Sequence, residues 1–263
     1  AMRAALAGGP AALVVTADIR TGLPGSADET AGGDAAAAVL IGDEGDGSVI
    51  AELLGSGTAT DEFLDRWRTP GDDRSKQWEE KFGEGKYVAL GQAALRDALK
   101  DAGIEADRVD ALIVAGTHGR ANKAVAKKSG IDGAKVVDDL SATLGNPGAA
   151  QAGLVLAATL DQATPGQVIV VLSLADGADA LLLRMSEPDR APDTTVLTGF
   201  ADLDAYTGGA QPGDLIVIAA DSSMGKTGFA GCIARNIARA GRLVCFSELE
   251  MSRDQLLLRL TAI

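Results

Sequence analysis

Residues 168–183 read Val-Ile-Val-Val-Leu-Ser-Leu-Ala-Asp-Gly-Ala-Asp-Ala-Leu-Leu-Leu. This is the longest apolar run in the chain, and its reading decides the fold. Asp176 and Asp179 interrupt it, so it is not the ~20-residue apolar stretch that a membrane-spanning helix needs. Pro165-Gly166 precedes it and Asp176-Gly177 divides it, so it reads as two buried strands, 167–173 and 179–184. Working outward, Ala12-Leu13-Val14-Val15-Thr16-Ala17 is also continuously apolar, as expected of a strand covered on both faces. A Gly/Pro/Ser/Asp loop at 20–33 and a further strand at 36–42 follow it. The two strand–loop–strand segments, 12–42 and 167–184, are expected to be equivalent pieces of a duplicated fold.

The remaining pattern alternates helix and strand. A helix over 1–8, stopped by Gly8-Gly9-Pro10, reads as already in progress, as if the chain starts inside a domain. A strand at 49–56 leads into a polar excursion, 57–86, that holds both tryptophans, Trp67 and Trp78. Leu90, Ala94, Leu95, Ala98 and Leu99 fall at helical spacing, which predicts a helix over 88–102 ended by Gly103. A strand at 109–115, helices at 120–129 and 149–163, a strand at 214–220, a helix at 226–240, a strand at 243–247 and a helix from Arg253 complete the series. The class is therefore α/β. Residues 187–194 are polar and proline-containing, a linker between segments 1–186 and 195–263.

Composition narrows the function. With 3% aromatic residues, the core has to be built from Ala, Val, Leu and Ile. The net charge is −13, and residues 1–194 carry 18 basic against 30 acidic side chains, a surface that repels phosphate backbones, so nucleic acid is not an expected partner. Two cysteines, Cys232 and Cys245, are too few for a disulfide framework and too far apart for a metal pair, consistent with a reduced, cytoplasmic chain. No segment reads as a membrane span or a signal peptide.

Two candidate sites stand out. The only histidine, His118, precedes Asn122 and the loop Gly145-Asn146-Pro147-Gly148-Ala149-Ala150. Residues 220–227, Ala-Asp-Ser-Ser-Met-Gly-Lys-Thr, read as a phosphate-binding loop between a strand and a helix.

On these residues the chain resembles two families. Residues 1–186 resemble the thiolase superfamily, in particular 3-hydroxy-3-methylglutaryl-CoA synthases and 3-oxoacyl-ACP synthase III relatives. The resemblance is carried by Ala12 to Asp18, by Glu29 with Gly33-Asp34-Ala35-Ala36-Ala37, by His118-Gly119-Arg120-Ala121-Asn122, by the Asn146 loop and by Ser173-Leu174-Ala175-Asp176-Gly177-Ala178. It implies a partial thiolase-like layered fold and a CoA or ACP thioester as substrate. His118 and Asn146 would then be the catalytic pair that holds an enolate oxygen while the imidazole moves a proton. The family's nucleophilic cysteine would fall just upstream of Ala1, and neither Cys232 nor Cys245 matches it.

Residues 195–263 resemble the start of the RecA-like ATPase domain of DnaB-type replicative helicases, through Thr198-Gly199-Phe200, Thr207-Gly208-Gly209, Gln211 to Ala220, Ser223 to Thr227 and Leu249-Glu250-Met251-Ser252. This resemblance implies Mg-ATP held by Ser223, Gly225, Lys226 and Thr227, with the Thr227 hydroxyl on the metal and Glu250 activating water. Asp221 and an extra residue before Glu250 depart from that pattern. Three functional readings follow: a thiolase-like condensing enzyme or a part of one, an ATP-binding helicase fragment, or a non-catalytic fusion of two remnants. Half of a thiolase core sheet would leave an apolar face to be covered by a homodimer, a separate N-terminal subunit or the tail.

Overall fold

The computed structural model describes residues 12–19, 22–42, 49–67, 69, 72, 74–186, 196–210, 215–219, 226–240 and 243–248. The helices expected at 1–8 and from Arg253 and the 187–194 linker lie outside these residues. In chain order the elements are β1 (Ala12–Ile19), α1 (Ala27–Ala31), β2 (Asp34–Ile41), β3 (Ala51–Ala59), β4 (Arg66–Trp67), β5 (Lys76–Gln77), α2 (Glu80–Ala102), β6 (Ala111–Gly116), α3 (Gly119–Lys128), α4 (Ser141–Leu144), α5 (Gln151–Leu160), β7 (Val168–Leu174), β8 (Ala178–Met185), α6 (Ala201–Thr207), β9 (Leu215–Ala219), α7 (Lys226–Arg239) and β10 (Leu243–Glu248).

Two four-stranded sheets organise these elements. One runs β10-β1-β2-β9 and the other β6-β7-β8-β3, and a small ribbon pairs β4 with β5. In the first, β10 is parallel to β1, and β1–β2 and β2–β9 are antiparallel. In the second, β6 is parallel to β7, and β7–β8 and β8–β3 are antiparallel. The patterns are identical, so the duplication expected from 12–42 and 167–184 is present in β1–β2 and β7–β8. Its extension is a finding: β9–α7–β10 stands to the first sheet as β3–α2–β6 stands to the second. The edges of the β1–β2 pair are thus filled by β9 and β10, from the segment after the linker.

Side-chain alternation stacks the layers. Leu13, Val15, Ala17 and Ala36 point to α7, where they pack with Ala230, Ile233 and Ile237. From the same sheet Ala37 points the other way, onto Gly153 of α5. In the second sheet Ile113, Ile169 and Val171 meet Val155 and Leu156 of α5. Leu112, Val114, Val170 and Leu172 face α2 and α3 with Ala94, Leu95, Ala98 and Val125. The order is helix, sheet, helix, sheet, helices, with α5 shared between the two sheets. Small residues on the side of the first sheet permit the close approach: Gly153 sits where a Cβ would collide with Ala37.

The 57–86 excursion differs from its sequence reading. β3 runs on to Ala59 and α2 starts at Glu80, eight residues before the amphipathic repeat begins. Gly83 and Gly85 weaken the periodic signal there, yet the turn forms because it packs on neighbouring loops. Between β3 and α2, Trp67 and Trp78 stack edge to face at 5.9 Å.

This architecture makes α7 part of the core on which the tryptophan-bearing region depends through α5. Ile237→Ala, at a side chain 2% exposed, is expected to destabilise by roughly 2–5 kcal/mol. Trp67 and Trp78 report that loss in a denaturant titration although neither lies on α7. An unchanged tryptophan transition would mean that residues 215–248 fold separately.

Candidate active site

The end of β6 gathers two of the predicted site residues. His118 caps α3: its Nδ1 accepts the Ala121 N–H at 3.1 Å, satisfying one of the open donors of the first turn. A ring nitrogen that accepts carries no proton, so in the neutral imidazole the proton is assigned to Nε2. The ring is 3% exposed and meets Tyr87 edge to face at 6.1 Å.

Asn146 comes from the connection between α4 and α5, yet it is tied to the same strand end. Its Nδ2 donates to the Gly116 carbonyl at 2.9 Å, and Asn122 Nδ2 donates to that carbonyl at 2.9 Å as well. A carbonyl oxygen has two lone pairs, and here two carboxamides share it. The Asn146 Oδ1 accepts the Gly148 N–H at 2.9 Å, fixing the side-chain plane. Its backbone is bound to the other sheet's approach: Asn146 N–H donates to Ala31 O at 2.8 Å and Gly33 N–H to Asn146 O at 3.0 Å. Gly145 makes this approach possible, with φ of 71° and no room for a Cβ beside the Gly32 carbonyl. The structure therefore brings the His118 and Asn146 loops together at one strand end.

A third loop, bearing a carboxyl group that the sequence did not single out, lies beside the His118 loop. Asp65 is 1% exposed, and neither of its carboxylate oxygens has a hydrogen-bond partner. Asp65 and the imidazole both face Gly83 of α2: a Cβ there would lie 2.6 Å from Asp65 Oδ1 and 3.0 Å from His118 Cδ2. Burial pushes the Asp65 carboxyl above the ordinary range, against the pull of the His118 and Arg66 charges, and Asp28 adds to the rise. One turn along α2, the Tyr87 phenol is pushed up to about 12 by burial and by Asp65. Its hydroxyl accepts the Asp176 N–H at 3.4 Å. Asp176, at the β7–β8 turn with φ of 50°, is itself raised by burial and by Asp65. No periodicity marks Asp65; the one sequence signal was Gly83, a glycine inside a helix where another group must come close.

The nucleotide residues are only partly placed. Ser223, Gly225 and Glu250 lie outside the described residues. Lys226 and Thr227 open α7, after β9, as a strand–loop–helix phosphate site requires, and Thr227 is 5% exposed. Cys232 is a free cysteine on α7, which packs on the β10-β1-β2-β9 sheet and not on the His118 strand. Among the described residues no group of three metal-type ligands is gathered, and no helix is long and apolar enough to cross a membrane.

The architecture is that of the thiolase-like class, and the comparisons with known proteins divide along the chain. Residues 99–185 match the family model of the 3-oxoacyl-[acyl-carrier-protein] synthase III C-terminal region, and residues 195–263 match that of the DnaB-like helicase C-terminal domain. Among solved structures, 3-oxoacyl-(acyl carrier protein) synthase III from Pseudomonas aeruginosa PAO1 superimposes with a TM-score of 0.59 at 23% identity, over 72% of this chain and 61% of that one. An HMG-CoA synthase complexed with CoA gives 0.57 at 17% identity, over 67% and 49%. Among curated proteins, the replicative DNA helicase DnaB of Synechocystis sp. is 56% identical over 68 residues, 26% of this chain and 8% of that protein. That of Haemophilus influenzae is 49% identical over 70 residues, 26% of this chain and 15% of that protein. The chain thus spans a small part of the helicases it matches and about half to three-fifths of the two thiolase-like structures. A thiolase-like fold and a segment similar to the DnaB-like helicase C-terminal domain are thus present in one chain.

A buried, unpartnered carboxylate lowers stability, on the order of 1–3 kcal/mol. The folded state holds the Asp65 proton to higher pH than the unfolded chain does, so stability falls as pH rises from the ordinary carboxyl range through the raised folded value. Asp65→Asn removes that fall. The variant is expected to melt above wild type at pH 8 and level with it in acid, as read by calorimetry over a pH series; a lower melting temperature at pH 8 would contradict the burial argument.

Proposed function

We propose that residues 12–186 hold an acyl thioester, of the CoA or acyl-carrier-protein kind, for thiolase-type condensation chemistry, with His118 and Asn146 as the polar pair. The observation that carries this reading is the Gly116 carbonyl, which fastens the Asn146 carboxamide to the strand end that positions His118. The imidazole Nε2–H and the carboxamide N–H are the donor types that stabilise an enolate oxygen, and the imidazole can also accept or release a proton. Both residues fall inside the stretch that matches the synthase III family model, which supports the assignment.

In this reading the two side chains hold oxygen and move protons; they do not carry the acyl group. Cys232 belongs to the DnaB-like segment, as does Cys245. Addition of acetyl-CoA is expected to raise the melting temperature without adding mass to the protein. His118→Ala and Asn146→Ala are expected to lose most of the rise. No rise with any acyl-CoA, or a stable acyl adduct on this chain, would overturn the assignment.

A second reading is favoured by the strand-then-helix placement of Lys226 and Thr227: the DnaB-like segment binds Mg-ATP. Lys226 would hold the phosphates and the Thr227 hydroxyl the metal, which would supply charge neutralisation there. A melting shift with Mg-ATP that disappears in Lys226→Ala would support it. An equal shift in the variant would remove it.

A further inference from the structure

We propose that the groove between the C-terminal ends of α2 and α3 binds an amphipathic monoanion, an aliphatic chain ending in a carboxylate. The groove holds a cavity of about 600 Å³, inside the range of small-molecule sites. One wall is a single face of α2, on which Gln92, Leu95, Arg96, Leu99 and Lys100 recur at helical spacing. Lys128 and Ser129, at the end of α3, form the other wall. The Gln92 side-chain N–H donates to the Lys128 carbonyl at 3.2 Å, which ties the two walls together. The floor follows from the way α2 stops. Gly103 takes the left-handed conformation at φ 63°; its N–H donates to the Lys100 carbonyl at 3.2 Å and the Ile104 N–H to the Leu99 carbonyl at 3.0 Å. This reversal sets Ile104 against Leu99, and with Leu95 and Ala106 they line the groove with aliphatic carbon. His118 caps the opposite end of α3, so the length of that helix, about 15 Å, separates the two sites. The proposal is independent of the thioester reading.

The charge of the groove is opposite to that of the chain. Arg96, Lys100 and Lys128 line it against one acid, Glu105, in a chain of net charge −13. The nearest acids along α2 do not cancel them. Asp101 accepts the Ser56 N–H at 2.9 Å, and Asp97 stands 3.8 Å from the Arg96 guanidinium with both side chains exposed, a weak pair in water. Lys100 and Lys128 have no ion-pair partner among the described residues. A lysine in the last turn of a helix also complements the helix dipole, but that role requires neither a second helix end beside it nor a concave aliphatic floor. An aliphatic floor under a cationic rim suits a ligand whose carbon chain is buried while its anionic head stays at the rim. No aromatic side chain lines the groove, so a nucleobase would find no stacking partner there.

Titration calorimetry of the full chain with decanoate tests this, with decanol as the control for the carbon chain and acetate as the control for the charge. Decanoate is expected to bind saturably, and acetate to give no binding at the same concentrations. The double variant Lys100→Ala/Lys128→Ala is expected to bind decanoate about tenfold more weakly and decanol as wild type does. Ile104→Ala is expected to weaken decanoate and decanol alike. Bound decanoate should also slow the modification of Lys100 and Lys128 by acetic anhydride, read by peptide mass mapping, and leave that of Lys81, exposed at the other end of α2, unchanged. Absence of saturable decanoate binding, equal affinity in wild type and the double lysine variant, acetate binding as tight as decanoate, or binding that leaves Lys100 and Lys128 unprotected would each overturn the proposal. Binding to phosphatidylglycerol vesicles without binding of free decanoate would assign the rim to a lipid surface and overturn it as well.

Discussion

Asn146 is the residue on which the geometry of the site turns. Its main chain is hydrogen bonded to residues 31–33, which lead into β2 of one sheet. Its side chain is hydrogen bonded to Gly116, the last residue of β6 in the other. A short polar residue with both a donor and an acceptor on one planar group can do this; an apolar residue of the same size would leave the Gly116 carbonyl and the Gly148 N–H without these partners. The tie fixes where α5 begins, and α5 is the layer that both sheets bury. It also places the His118 cap, two residues beyond Gly116, at the same spot. Site and core are therefore set by one constraint, and Ala149, whose N–H is accepted by Asp18 of β1 at 3.0 Å, reinforces it from the first sheet.

The same economy explains how a DnaB-like segment can sit in a thiolase-like fold. What the β1–β2 pair requires is a strand on each side and a helix over its outer face. A β–α–β unit of any origin supplies these if its helix presents small and aliphatic residues at helical spacing. Ala230, Ile233, Ala234 and Ile237 do so. Backbone pairing in a sheet is indifferent to the sequence history of the strand, and burial is indifferent to it as well. In this architecture α7 is a structural layer.

Much of this was legible from the residues. Continuous apolar runs gave β1, β7 and β8, helical spacing gave most of α2, and the glycine after it gave its end at Gly103, in the left-handed conformation at φ 63°. The Asn146 loop and His118 were recognisable as motifs, because turn residues and a lone imidazole are local features. The start of α2 was not, because Gly83 and Gly85 argue against helix until the contacts of that turn are known. Asp65 was invisible for a related reason. Its significance comes from burial against His118 and Tyr87, residues far away in sequence, and an aspartate among other polar residues reads as solvated loop. The pairing of β9 and β10 with β2 and β1 was hidden by the linker, since nothing in either segment announces that its edges match the other's.

The most direct test of the convergence of His118 and Asn146 on one oxygen is the ¹³C resonance of the carbonyl carbon in a labelled ketone analogue of acetyl-CoA bound to the protein. Two convergent donors polarise the carbonyl more than water does, so the resonance should move downfield on binding and return most of the way in Asn146→Ala. A bound ligand whose carbonyl resonates where it does in water, in wild type and variant alike, would show that the two side chains do not meet at an acyl oxygen.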